Sequence, residues 1–180
     1  MKKIFLFDWG DTIMKNFPDE TGKMNTWQKV QPMPNAEKML RELSKYSDCF
    51  IATNAKDSEK IDIIKALQRV SLDQYFKGVF CYKGIGFSKP TIEYFNFILD
   101  KLKANKDDLV MVGDNIESDI TGARIFGIDT ILYDPNNKHS NYKGMKIVNL
   151  IEIIEKINST EVQQRIKCNN KIAHSSCYET

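Results

Sequence analysis

An α/β fold built on a parallel, doubly wound sheet is predicted for this 180-residue chain by three features. Short continuous apolar runs, rather than alternating ones, recur along it, as expected of strands buried on both faces. Stretches with apolar residues at helical spacing separate these runs, which is the alternation that builds parallel sheets. Several runs stop at a cluster of acids, amides, hydroxyls or a lysine, at the strand end where open α/β sheets bind ligands.

The elements follow in order. Ile4-Phe5-Leu6-Phe7 is the first run, and it stops at Asp8, with Trp9–Thr12 forming a tight turn. Residues 13–33 have no clean period and read as a long loop or flap, a surface segment pinned by Trp27. Pro34 and Asn35 open a helix whose apolar face is Ala36, Met39, Leu40, Leu43 and Tyr46. A second run, Cys49–Ala52, ends at Thr53-Asn54, a hydroxyl and an amide that can bind an anion or simply turn the chain. Ser58 caps the next helix, with Ile61, Ile64 and Leu67 on its buried face. A third strand lies within Gly78–Tyr82 and leads to Gly84–Pro90. Its G-x-G lacks the third glycine of a dinucleotide fingerprint and the Gly-Lys-Ser/Thr of a P-loop. Pro90 in a first helical turn places Lys89 at a helix N-terminus, where a cation opposes the helix dipole unless an anion balances it.

Tyr94, Phe95, Ile98, Leu99 and Leu102 make the next amphipathic helix. Leu109–Val112 is a fourth strand, ending in Gly113-Asp114-Asn115 with Ser118-Asp119 just beyond. Ile128–Tyr133 gives a fifth strand and Lys146–Val148 a short sixth, and Leu150, Ile151, Ile154 and Ile157 form a last helix. The domain therefore spans 1–158, with a polar tail at 159–180 that carries no motif.

Composition excludes several classes. A net charge of +2 gives no electrostatic case for nucleic acid or an anionic membrane as partner. No apolar run approaches the roughly 20 residues that span a bilayer, and Ile4–Phe7 is too short for a secretory signal core. The cysteines have no C-x-x-C spacing, and Cys49 and Cys81 sit in strand contexts as buried thiols, which fits a reduced, cytoplasmic setting. His139 and His174 lack zinc-ligand spacing.

Right-handed crossovers bring the four polar clusters to one sheet edge. Asp8 and Asp114 on neighbouring strands place two like charges together, an arrangement that calls for a cation. A hard divalent ion with oxygen ligands, Mg²⁺, suits them. The cation with Lys89 and Thr53 then binds a phosphate, and Asp8 is placed to attack phosphorus, giving an aspartyl-phosphate that water hydrolyses.

This constellation resembles the haloacid dehalogenase superfamily, whose members are mostly phosphatases. FDWGDT is similar to its first motif with Asp8 as nucleophile, Thr53 to its second, Lys89 before Pro90 to its third, and GDNIESD, Gly113–Asp119, to its fourth. The order and spacing agree over residues 1–135. The resemblance implies a Rossmann-like, three-layer fold with strand order 3-2-1-4-5, Mg²⁺ held by Asp8, Asp114 and the Gly10 carbonyl with Asp119 in support, and phosphate bound by Thr53, Asn54 and Lys89. One departure stands out. Phosphatases of this family usually carry a second Asp two residues after the nucleophile, as general acid and base, and here that position is Gly10. Asp11 comes one residue later, and a glycine before it permits backbone angles that could swing it inward as a substitute acid.

Neither residues 13–33 nor the stretch between Thr53 and Lys89 can hold a full cap domain, so an open site is expected. Such a site takes a phosphorylated small molecule or macromolecule, or borrows a lid from a second copy in a homo-oligomer. Two other functions remain beside the phosphatase. A weakly active or inactive member that binds a phosphorylated ligand or protein is favoured by Gly10. A dehalogenase also lacks the second Asp, but normally needs a cap and has no use for the metal-like Gly113-Asp114.

Overall fold

The computed structural model describes residues 2–157. The tail assigned to 159–180, with Cys168, His174 and Cys177, lies outside the described residues.

The first apolar run forms β1 (Ile4–Phe7), and the others form β2 (Asp48–Thr53), β3 (Phe76–Cys81), β4 (Leu109–Gly113), β5 (Asp129–Tyr133) and β6 (Lys146–Ile147). They make one sheet in the order β3-β2-β1-β4-β5-β6, which is the expected 3-2-1-4-5 extended by one strand. Every pairing is parallel. The strand with the first motif is therefore central, with Phe7 opposite Ile51 on one side and Val112 on the other. Side chains alternate across a strand, so the continuous apolar runs serve two cores. Phe5, Phe7, Ile51, Val110 and Val112 pack on one face with α1 (Ala36–Leu43) and α2 (Lys60–Gln68). Leu6, Ala52 and Met111 pack on the other with α4 (Ile92–Leu102) and α5 (Gly122–Phe126). A single turn, α3 (Tyr82–Ile85), follows β3.

The local expectations shift in places. Tyr46, expected on the face of α1, lies past the helix end and is 67% exposed. Glu59, not Ser58, precedes α2, and the Asp62 carboxylate accepts the Glu59 N–H, closing the first turn from within. The buried face of α2 is Ile63, Ala66 and Leu67, while Ile61 faces solvent. Pro90 does not open α4. Thr91 is its N-cap, and the threonine hydroxyl accepts the Tyr94 N–H, so Lys89 precedes the helix instead of starting it. The last helix covers 152–157, with Ile153 buried in it and Leu150 buried just before it.

The flap is more built than a surface loop. Met14 bridges both Gly10 and Pro32, and a 3₁₀ turn at Met24–Thr26 lies against α2. Ile13, Met14 and Met24 are buried in the core of that face. The Arg69 guanidinium donates to the carbonyls of Asn25, Trp27 and Gln28, and Lys23 pairs with Asp62 at 2.7 Å. Arg69, absent from the sequence argument, anchors the segment together with Trp27. The segment is one irregular strap, and no full cap domain stands over the sheet edge among the described residues.

Candidate active site

All parallel strands end on one edge, so the residues just past β1, β2 and β4 converge there. Asp8 continues β1, its N–H donating to the Val112 carbonyl at 2.9 Å. Asp114 follows β4, and Asp119 returns to the same point on a π-helical turn at Ile116–Thr121, a feature frequent at functional sites. Carboxylate oxygens of Asp8, Asp114 and Asp119 lie within 4.8 Å of one another. Gly113 permits this closeness, because a Cβ there would overlap the Asp119 carboxylate.

Lys89 enters the cluster from the loop after β3. Its Nζ donates to Asp8 Oδ1 at 2.7 Å and to Asp119 Oδ1 at 2.6 Å. The lysine is buried, and so is Asp119. Asn54 clamps the lysine's backbone from the end of β2: Nδ2 donates to the Lys89 carbonyl at 2.9 Å, and Oδ1 accepts the Lys89 N–H at 2.8 Å. Asn54 therefore positions Lys89. Asp119 is fully engaged, with Ser118 Oγ donating to Oδ1 and the Asn115 N–H to Oδ2. Thr12, a residue the motif reading left without a role, is buried and donates its hydroxyl to Asp114 Oδ1 at 3.1 Å. The Thr53 hydroxyl oxygen accepts the Ala55 N–H, which leaves its hydrogen for another acceptor.

Electrostatics follow from this crowding. Burial pushes the Asp8 carboxyl up to about 7, against the pull of Lys89, and Asp119 and Asp114 add to the rise. Burial also raises Asp114, helped by Asp119 and opposed by the Thr12 hydrogen bond. Burial alone would lower the Lys89 ammonium, but Asp8 and Asp119 outweigh it and hold the lysine above its ordinary value. Three carboxylates face one ammonium here, and one further positive charge would relieve the excess.

Gly10 and Asp11 lie beside this cluster and differ from the sequence expectation in how they are used. The left-handed backbone angle falls on Asp11 itself (φ 54°), not on Gly10. The Asp11 carboxylate is held by the flap: the Asn16 N–H donates to Oδ1 at 3.0 Å and Asn16 Nδ2 to Oδ2 at 2.9 Å. Asn16 had no signal in the sequence, since it is an exposed polar residue in an aperiodic segment.

The geometry and the motif order agree with a family comparison. The model of the haloacid dehalogenase-like hydrolases matches residues 6–133. The chain belongs to this family. Among curated relatives, a ribulose-1,5-bisphosphate 5-phosphatase from Halopiger xanaduensis is 33% identical over 112 residues, covering 62% of this chain and 46% of that protein. A glyceraldehyde 3-phosphate phosphatase from Pyrococcus furiosus is 24% identical, covering 73% of this chain and 58% of that one. The chain thus spans about half the length of the curated relatives it matches. Among solved structures, a protein from Listeria monocytogenes superposes with a TM-score of 0.77 at 22% identity, over 88% of this chain and 98% of that one. The HAD-hydrolase YfnB from Bacillus subtilis, in a structure bound to magnesium, gives 0.71 at 20% identity, over 87% and 98%. These likenesses establish the fold, and the match over residues 6–133 establishes the family. No helix of the described residues is long and apolar enough to cross a membrane.

Proposed function

We propose that this hydrolase is a Mg²⁺-dependent phosphomonoesterase that works through an aspartyl-phosphate on Asp8. The observation that carries the reading is Lys89, a buried ammonium bonded to Asp8 and Asp119 beside the free side of Asp114. Taking such a cluster out of water is costly and is weak evidence for a stabilising role. Phosphate chemistry at the strand ends gives it a use. The curated phosphatase relatives, which act on phosphorylated small molecules by name, support this substrate class.

The donor set fits Mg²⁺. Asp8 Oδ2 and Asp114 Oδ2 carry no hydrogen bond among the described residues, and with the Gly10 carbonyl they offer the hard oxygens this ion prefers. A bound ion would supply charge neutralisation at the phosphoryl oxygens. The chain's own residues do the rest. Asp8 is the nucleophile, held in one orientation by Lys89. Lys89 shares its charge with the incoming phosphate, and the Thr53 hydroxyl donates to a phosphate oxygen. Asp119 and Asn54 fix the lysine, one through Nζ and the other through its backbone.

The test is hydrolysis of a phosphoester panel with and without Mg²⁺, comparing wild type with Asp8→Asn. Metal-dependent turnover that Asp8→Asn abolishes, with a phosphorylated Asp8 peptide trapped on rapid acid quench, is expected. Calorimetry should show Mg²⁺ binding that Asp114→Ala removes. Gly10 favours a second reading, a binder of phosphorylated ligands without turnover. That reading takes over if no phosphoester is hydrolysed while phosphate binding persists.

A further inference from the structure

The place where residue 10 would project its side chain is not empty. A Cβ on Gly10 would lie 2.6 Å from Asn16 Nδ2, 3.1 Å from Oδ1 and 3.2 Å from Cγ. Trp9 is buried in the core, while Asp8 and Gly10 on either side of it are half-buried. Asn16 thus occupies the space that any side chain at position 10 would need. It is held there firmly. Its N–H and Nδ2 both grip Asp11, the Asp11 N–H donates to the Met14 carbonyl at 2.6 Å, and the neighbouring Lys15 N–H donates to the Gln31 carbonyl at 2.9 Å. Asn16 Oδ1 has no partner among the described residues.

We propose that Asn16 is a specificity-determining residue: it fills the space that the side chain of a residue-10 acid would take, and restricts the enzyme to phosphates whose leaving group departs unprotonated. The class is acyl, enol and aryl phosphates. This rests on the phosphatase reading above. An amide side chain has N–H donors but no ionisable proton to transfer at neutral pH. Asp11, pinned by Asn16, is a positioning residue for that amide. In the first step an Asp8 oxygen forms a bond to phosphorus, the bond from phosphorus to the leaving oxygen breaks, and the electron pair leaves on that oxygen. A carboxylate, enolate or phenolate carries this charge; an alkoxide does so poorly. In the second step a water oxygen bonds to phosphorus, the bond to Asp8 breaks, the Asp8 carboxylate is restored, and both water protons leave with dihydrogen phosphate.

The experiment measures kcat/KM, which reports the first step, across acetyl phosphate, p-nitrophenyl phosphate, phenyl phosphate and glycerol phosphate. Wild type should lose at least about 10²-fold from the best to the worst leaving group, the lower range of what general acid catalysis supplies. Two variants restore an acid at this point. Gly10→Asp with Asn16→Gly gives the acid room, and Asn16→Asp adds none of the bulk that could perturb folding. Folding of each is checked by circular dichroism. In Asn16→Asp the new carboxyl faces Asp11. Each folded variant should raise the ratio of glycerol phosphate to acetyl phosphate turnover at least about tenfold. Gly10→Asp alone, meeting Asn16, should raise it less. A wild-type profile insensitive to the leaving group overturns the inference and leaves the phosphatase reading standing, and so does an unchanged ratio in the folded variants. No turnover of any member, acetyl phosphate included, overturns both.

Discussion

The two ends of the sheet carry the same chemistry at opposite burial. Past the carboxyl ends of β1 and β4, Lys89 bridges Asp8 and Asp119, and the Lys89 and Asp119 side chains are each 1% exposed. At the amino ends of β1 and β5, Lys3 pairs with Asp129 at 3.2 Å, with side chains 44% and 71% exposed. Lys2 and Asp48 repeat the exposed pattern. Between them in burial is the Lys23–Asp62 pair that ties the flap to α2. The exposed end also has a groove of about 820 Å³ lined by Lys3, Phe5, Val110, Arg124 and Ile131. Paired charge beside a groove is therefore not what sets the candidate site apart. The mark is a group of ionisable side chains held out of water, with more negative than positive charge and pKa values pushed from their ordinary range.

The sharpest break of this comparison is Lys89→Met. Removing one member of a buried ionic cluster leaves uncompensated carboxylates, and such changes cost about 3–5 kcal/mol. Chemical denaturation of the metal-free protein should show a loss of that order. Lys89 donates to both Asp8 and Asp119, so its removal leaves two carboxylates without their shared cation. A loss below about 1 kcal/mol, the range of exposed pairs, would erase the contrast between the two ends.

Asp62→Asn probes the intermediate pair. A hydrogen bond from Lys23 and one from the Glu59 N–H hold the Asp62 carboxyl below its usual range. A group depressed in the folded state contributes stability above its unfolded pKa, about 3.9, and loses it as pH falls through the folded value. Asp62→Asn should therefore be less stable than wild type at neutral pH, with the difference closing below about pH 4. Melting temperatures across that range check it, and a difference that persists in acid would assign the effect to shape instead of charge.

Lys3→Ala should do least. An exposed pair contributes on the order of 0.2–1 kcal/mol, and high salt should remove most of that. Denaturant midpoints at low and high ionic strength measure it directly.

Much of this was legible in the residues. Strands buried on both faces of a parallel sheet require unbroken apolar runs, so Ile4–Phe7 and Leu109–Val112 announce themselves locally, and the acids that end them announce the edge. Four short polar motifs in order then named the family. Helix details were harder. Ser58 and Pro90 carry the right propensities for a cap and a first turn, yet Glu59 and Thr91 hold those places, because packing overrides weak local preferences.

What the sequence by itself determined is the parallel sheet, the strand ends that share one edge and the candidates Asp8, Thr53, Lys89, Asp114 and Asp119, since periodicity and motif spacing are properties of neighbours in the chain. Only the tertiary structure decided how they are used. The Asn54 clamp on Lys89, the Thr12 bond to Asp114 and the Arg69 anchor of the flap join residues 35, 102 and about 40 positions apart. Even Asn16, close to Gly10 in sequence, comes to fill its space only because Met14 bridges to Pro32 and folds the flap back. Such contacts leave no local pattern, because the loop closures that form them are driven by burial elsewhere, in the cores on either face of the sheet.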